Sequence, residues 1–193
     1  MDRRNSGQSI VEMALILPFM LLVLFGIMEF GYIIWAYSTV SQAARNGAEA
    51  AAQVPPYESW LAYRDNPPSD PDYPGFRGDA CVNTVLAAVE SDTTLFAGDI
   101  NRNRSVVNFV TIRYPNGGST RNLRDRGPIE VEISYPVTGL TPLFQLLRIG
   151  GSEGTITLRV VQRRSLENLG LDPTRPAGVA CARNMAEWRE LNQ

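Results

Sequence analysis

The first part of the chain is apolar over a long stretch. Between Met13 and Ala44 the only charged residue is Glu29. As a helix with a rise of ~1.5 Å per residue, segment 13–35 is roughly 34 Å long, enough to cross a ~30 Å hydrocarbon core. A secretory signal peptide has a shorter apolar core, followed by a small-residue cleavage site. Here the helical pattern continues past the apolar run, so the sequence predicts a transmembrane helix.

Beyond the apolar run, small residues follow one face of a continuing helix. They are Val40, Ala43, Ala44, Gly47, Ala48 and Ala51. Pro55 and Pro56 then end the helix, which gives a transmembrane and amphipathic helix over 8–54. Pro18, inside the apolar run, removes one backbone hydrogen bond and predicts a kink or a locally melted turn.

The sequence of residues 55–193 predicts a small α+β head. Asp79 is suited to cap a short helix whose apolar face carries Val82, Val85, Leu86 and Val89. Segments 106–114, 129–135 and 156–160 have strand patterns, so we expect an antiparallel sheet of three or more strands. Alternation in the last two segments predicts one buried face and one solvated face. We place the core between the sheet, the short helix and the stripe of the long helix.

Glu130 and Glu132 resemble the paired carboxylates of an active site. They alternate with the apolar residues of a strand, and three arginines lie on its expected neighbours: Arg113, Arg159 and Arg163. We therefore interpret the two glutamates as partners in cross-strand charge pairs.

Proline and glycine are frequent in residues 54–78, which predict an irregular linker. Four aspartates in or beside it could in principle gather around calcium: Asp65, Asp70, Asp72 and Asp79. Their spacing matches no EF-hand loop, and acidic proline-rich loops are usually solvated. We therefore expect no metal site.

Composition argues against several functions. The chain has no His, the usual general base, and its two cysteines are too few and too distant for a zinc site. It has no glycine-rich phosphate-binding loop, and its net charge of −2 gives no basic bias toward nucleic acid. We expect no enzyme activity, no cofactor and no nucleic-acid partner.

The start of the chain resembles type IV pilin-like proteins, and more closely the TadE family of pseudopilins from tight-adherence pili. The matching residues are Gly7-Gln8-Ser9-Ile10-Val11-Glu12-Met13-Ala14-Leu15-Ile16-Leu17-Pro18 and Phe25-Gly26-Ile27-Met28-Glu29-Phe30-Gly31. The resemblance implies that a prepilin peptidase removes a cytoplasmic leader, residues 1–7, by cutting after Gly7. Gln8 then becomes the N-terminus and Glu12 its fifth residue. Met13 stands where the family usually has an aromatic residue.

Two glutamates are candidates for subunit assembly. The resemblance implies that Glu12 pairs with the free amine of Gln8 on another subunit, and an unpaired buried charge is indeed unfavourable. The alternative is that Glu12 lies among the lipid headgroups. Glu29 lies 17 residues later, about 25 Å along the helix and near the far membrane surface. There it is either solvated or part of a subunit contact.

Orientation follows from Arg3 and Arg4, which belong on the cytoplasmic side. The head is then outside the cytoplasm, where an even number of cysteines favours pairing. We predict a disulfide between Cys81 and Cys181, with two buried free thiols as the alternative.

Segment Leu140–Ile149 is more apolar than a connection between strands requires. Thr141 and Pro142 are suited to begin a short helix. The segment either packs in the core, dips into the membrane surface or meets a partner subunit.

Together these observations predict a minor pilin-like subunit of a tight-adherence pilus, acting in pilus assembly or initiation and in adhesion. It would reside in the bacterial inner membrane and possess three kinds of protein partner: the prepilin peptidase, other pilins or pseudopilins, and the assembly platform. The alternative is an uncleaved single-span anchor or adaptor of an envelope secretion complex that enters no filament.

Overall fold

The structure is a computed structural model that describes residues 5–91, 106–116, 128–142, 144, 154–167, 181–182 and 184–191. Within these residues, the helices are α1 (Asn5–Gln53), α2 (Glu58–Ala62), α3 (Ala80–Ser91) and α4 (Met185–Leu191). The strands in the same part of the chain are β1 (Val110–Arg113), β2 (Pro128–Thr138) and β3 (Thr155–Ser165). Short 3-10 turns cover Phe76–Gly78 and Val106–Asn108. The predicted α+β class, with a long N-terminal helix and an antiparallel sheet, is confirmed.

The chain forms two compact units. The first contains residues 1–37 and 136–157, and the second contains residues 38–135 and 158–193. Helix α1 contributes its N-terminal part to the first unit and its C-terminal part to the second.

In the second unit, the C-terminal part of α1 packs through its small-residue stripe. Val40, Ala43, Ala44, Ala48 and Ala51 are fully buried. A Cβ at Gly47 would lie 2.5 Å from a methyl group of Val89 on α3 and 3.4 Å from one of Val131 on β2. Only glycine fits this approach without a shift of the neighbouring side chains, so the predicted stripe is confirmed as part of the core.

The sheet has the strand order β1-β2-β3. Strand β1 is antiparallel to β2, with Val110 opposite Ile133 and Ile112 opposite Val131. Segment 106–114 is strand only at Val110–Arg113, since Val106–Asn108 forms a 3-10 turn. The predicted first strand was therefore too long.

Helix α3 begins as predicted. The Asp79 carboxylate accepts hydrogen bonds from the backbone N–H groups of Cys81 (3.0 Å) and Val82 (2.9 Å). This is the N-cap arrangement that satisfies the free donors of a first turn. The apolar face of α3 is buried, which confirms this part of the predicted core.

Residues 54–78 are more ordered than the predicted linker. They include α2, and Trp60 on α2 is fully buried, with its indole N–H donating to the Phe76 carbonyl at 3.2 Å. The Arg64 guanidinium donates to the Thr111 hydroxyl on β1 at 2.7 Å. Trp60 and Arg64 are single large side chains between prolines, so no periodic pattern in the sequence predicted these contacts.

Candidate assembly and membrane site on the N-terminal helix

Among the described residues, α1 alone is long and apolar enough to cross a membrane. Its most apolar 18-residue window has a mean hydropathy of 2.6, and none of that window is buried. A core helix of a soluble protein with this composition would be mostly buried. Exposed apolar side chains such as Ile10, Phe19 and Ile27 favour an apolar environment around the helix. The helix is therefore compatible with a single-pass membrane protein.

Gly7, Gly26 and Gly31 lie on this helix in open surroundings. Apart from the helix itself, no described atom lies within 4 Å of the position that a Cβ would take at any of them. Packing among the described residues thus gives no steric reason for glycine at position 7. The predicted cut after Gly7 stays a prediction, but it supplies a reason that the fold does not.

Glu12 is exposed on the same helix, one turn after Gln8. The Gln8 side-chain amide donates to a Glu12 carboxylate oxygen at 3.2 Å. This contact shows that positions 8 and 12 share one helix face, as their spacing requires. Their predicted pairing between subunits is a separate matter and stays a prediction.

Helix α1 is continuous through Pro18. No turn is melted there, so that alternative for Pro18 was wrong, whereas the predicted kink stays a prediction. The proline removes one backbone N–H, and the hydrogen bonds on either side are enough to keep the helix.

Glu29 is buried, with 6% of its surface exposed. Its carboxylate accepts three hydrogen bonds from the turn after β2: from the N–H of Leu140 (2.9 Å), the N–H of Thr141 (3.0 Å) and the hydroxyl of Thr141 (2.8 Å). The solvated alternative for Glu29 was therefore wrong. A role of Glu29 in subunit contact stays a prediction.

The predicted disulfide is confirmed. Cys81 and Cys181 are bonded, with their Cα atoms 5.6 Å apart and 100 positions apart in sequence. Near it, Trp188 of α4 stacks on Trp60 with ring centroids 6.4 Å apart. Arg189 also pairs with Asp70 at 2.6 Å. The C-terminal helix is thus held to the head by one covalent bond and by several contacts.

The cross-strand charge pairs are confirmed, but the face that carries them is not solvated. Glu130 is fully buried and Glu132 is 8% exposed. Arg113 and Arg163 bond the Glu130 carboxylate, and Arg113 and Arg159 pair with Glu132. The central strand is therefore buried on both faces, and arginines of the two neighbouring strands pair with its glutamates.

Both glutamates are held in their ionised form. Burial by itself raises the pKa of Glu130, but the hydrogen bonds and charges of Arg163 and Arg113 outweigh it and lower the pKa below its usual range. The Arg159 hydrogen bond is the main reason why the pKa of Glu132 is also lowered. A general acid needs a raised pKa. The arrangement therefore fits a structural role for this pair.

This network predicts that the folded protein loses stability in acid. The folded-state pKa values of Glu130 and Glu132 lie below the unfolded value of about 4.3, so the unfolded state takes up protons more readily. Their contribution to the free energy of unfolding is fully present above about pH 4.3, and it is lost as the pH falls through the folded-state pKa values. Denaturant unfolding of the detergent-solubilised protein from neutral to acid pH measures this loss.

The double variant Glu130→Gln/Glu132→Gln should show a flatter acid dependence than the wild type. Glu190→Gln is the matched control, since Glu190 is an exposed carboxylate on α4. If the free energy of unfolding falls equally steeply with decreasing pH in the double variant and in the control, this account is contradicted.

The family model described as TadE-like protein matches residues 7–49. The N-terminal helix carries a TadE-like domain. The predicted resemblance is therefore confirmed, and the matched range contains Gly7, Gln8, Glu12, Pro18 and Glu29. No curated protein and no solved structure matches the chain.

The TadE-like match ends inside α1, so the disulfide and the partners of Glu29 lie outside it. Sequence reasoning missed Thr141 as a partner of Glu29. The two residues are 112 positions apart, and no local pattern links them. The available signal was the apolar segment with a Thr-Pro helix start, which is consistent with the helical state of Pro142 in the structure. Residues 143 and 145–149 of that segment lie outside the described part of the chain.

Proposed function

We propose that this protein is a minor pilin-like subunit of a tight-adherence pilus that acts in pilus assembly or initiation and in adhesion. One observation carries the proposal: the TadE-like match falls on a helix whose apolar side chains are exposed along the membrane-crossing window. Exposed apolar side chains suit a helix that meets lipid first and neighbouring helices later. The head then supplies the surface presented outside the membrane.

Processing is the first step of the proposed function. Prepilin peptidase reads the leader at the cytoplasmic face, where Arg3 and Arg4 hold it, and cuts after Gly7. Cleavage creates a positively charged amine at Gln8, one helical turn from Glu12. The Gln8–Glu12 contact supports this step, because it places both positions on one face.

Assembly is the second step. Among the packed helices of a filament, the Glu12 carboxylate loses its water and needs a positive partner. The Gln8 amine of the neighbouring subunit supplies this partner and sets the axial register. The assembly platform and other pilins or pseudopilins are the proposed partners.

Localisation follows from the same elements. The N-terminus lies in the cytoplasm, α1 crosses the inner membrane, and the head lies outside. The Cys81–Cys181 bond supports this orientation, because disulfides persist in oxidising compartments.

An uncleaved single-span anchor or adaptor of an envelope secretion complex is the second candidate function. Met13 favours it, since the family usually has an aromatic residue at this position. Shearing pili from intact cells separates the two functions. A pilus subunit appears in the sheared fraction, whereas an anchor stays with the membranes.

We predict that the mature protein begins at Gln8. Intact mass and N-terminal sequencing of protein from the native host measure the start. A Gly7→Leu variant should keep its N-terminal leader, because a bulky side chain blocks the cut, whereas Gly31→Leu, on the same helix in equally open surroundings, should be processed normally. Wild-type protein that still starts at Met1, in cells with an active peptidase, would move the assignment to the uncleaved anchor.

A further inference from the structure

Glu29 is a carboxylate in an otherwise apolar part of α1. It lies 17 residues after Glu12, or about 25 Å along the helix. With Glu12 at the inner edge of a ~30 Å hydrocarbon core, Glu29 lies about 5 Å inside the outer edge, close to the outer interface. Two apolar side chains that follow it are exposed: Phe30 is 67% exposed and Ile34 is 53% exposed.

A carboxylate this close to hydrocarbon is unfavourable unless hydrogen bonds replace its water. The turn after β2 provides three donors, from Leu140 and Thr141. These hydrogen bonds satisfy both sides, because backbone N–H groups close to hydrocarbon also need hydrogen-bond partners. Glu29 thus holds this turn against the outer end of the apolar helix.

The turn itself is tightly built. A Cβ at Gly139 would lie 2.4 Å from the Cβ of Phe144, so the two ends of the turn are in direct contact. The Phe144 N–H donates to the Thr141 carbonyl at 3.2 Å. Thr141 and Phe144 are buried, whereas Leu140 is 62% exposed and Pro142 is also exposed. The turn therefore directs two apolar side chains away from the protein.

We propose that residues 140–142 form a second membrane contact, in which Leu140 and Pro142 insert into the outer interface of the bilayer beside α1. An exposed leucine alone would mean little. Here it continues the exposed apolar surface of the spanning helix, and Glu29 fixes it at the depth where headgroups meet acyl chains. This continuity assigns the surface to lipid. The inference rests on α1 crossing a membrane and does not depend on entry into a pilus.

The contact is tested with a nitroxide label on Leu140→Cys in the full chain. Cys81 and Cys181 are bonded to each other, so the new thiol is the one that reacts. The protein is reconstituted at low density in phosphatidylethanolamine and phosphatidylglycerol vesicles. Accessibility to oxygen, which concentrates in lipid, is compared with accessibility to a water-soluble nickel chelate.

Labels at Leu15→Cys in the apolar helix and at Val161→Cys on β3 are the lipid and water references, since both side chains are exposed. We expect an oxygen-to-nickel ratio at Leu140 several-fold above that of Val161 and below that of Leu15. A ratio equal to that of Val161 would overturn the proposal. Shielding that disappears on dilution with lipid, together with loss of a crosslinked dimer, would assign the surface to a second copy and overturn it as well.

The role of Glu29 is tested by adding Glu29→Ala or Glu29→Gln to the labelled protein. Alanine removes all three hydrogen bonds, so nickel access at Leu140 should rise several-fold while the Leu15 label is unchanged. Glutamine keeps one acceptor oxygen and should have a smaller effect. An unchanged Leu140 signal in Glu29→Ala, with the disulfide intact, would show that Glu29 does not hold the turn in place.

Discussion

Replacing Glu12 with glutamine should abolish pilus assembly and leave membrane insertion intact. Glutamine has the shape of glutamate and can still bond the Gln8 side chain, so α1 keeps its local contact. It cannot neutralise the amine of a neighbouring subunit. Leaving one partner of a buried charge pair unpaired costs about 3–5 kcal/mol, and this cost recurs at every subunit contact of a filament.

Pilus number by electron microscopy and the amount of protein in the sheared fraction measure the result. Glu49→Gln is the matched control. Glu49 lies on the same helix beyond the apolar run, where it is exposed and pairs with Arg45 at 3.2 Å. The control should assemble normally, because surface pairs contribute little. Wild-type pilus numbers with Glu12→Gln would refute charge pairing between subunits.

Breaking the disulfide should lower the folding stability more than the Glu130→Gln/Glu132→Gln substitutions do. The Cys81–Cys181 bond closes a loop of 100 residues. In the chain-entropy model, such a closure contributes about 4.7 kcal/mol, and small domains have only about 5–15 kcal/mol in total. We expect Cys81→Ser/Cys181→Ser to lower the free energy of unfolding by about 4–5 kcal/mol.

Denaturant unfolding of the full chain in detergent, followed by tryptophan fluorescence, measures this change. Reduced wild-type protein is the matched control, because it lacks the bond but keeps both side chains. Limited proteolysis should also release the C-terminal helix, which then depends on non-covalent contacts such as the Trp188–Trp60 stack and the Arg189–Asp70 pair. If the oxidised and reduced proteins unfold at the same denaturant concentration, the bond does not stabilise the fold.

Local patterns predicted the regular elements well, because each rests on a periodicity or a capping rule. The end of α1 before Pro55, the start of α3 at Asp79 and the strand after residue 128 all follow from short-range sequence. The disulfide also followed from sequence, because two cysteines leave one possible pairing. The structure of segment 54–78 was harder to predict, because Trp60 is buried there without any helical or strand periodicity in the sequence.

By itself, the sequence determined the apolar helix, its TadE-like start and the amphipathic continuation, because these depend on the composition and spacing of neighbouring residues. Only the tertiary structure decided what surrounds the acidic groups. Glu130 and Glu132 have the alternation of a solvated face, yet both are buried and paired with arginines from the two neighbouring strands. Glu29 looks like a surface charge at the end of a span, yet a turn 111 residues later buries it. The burial of a charged side chain depends on hydrogen-bond donors that are distant in sequence, and local sequence patterns do not reveal them.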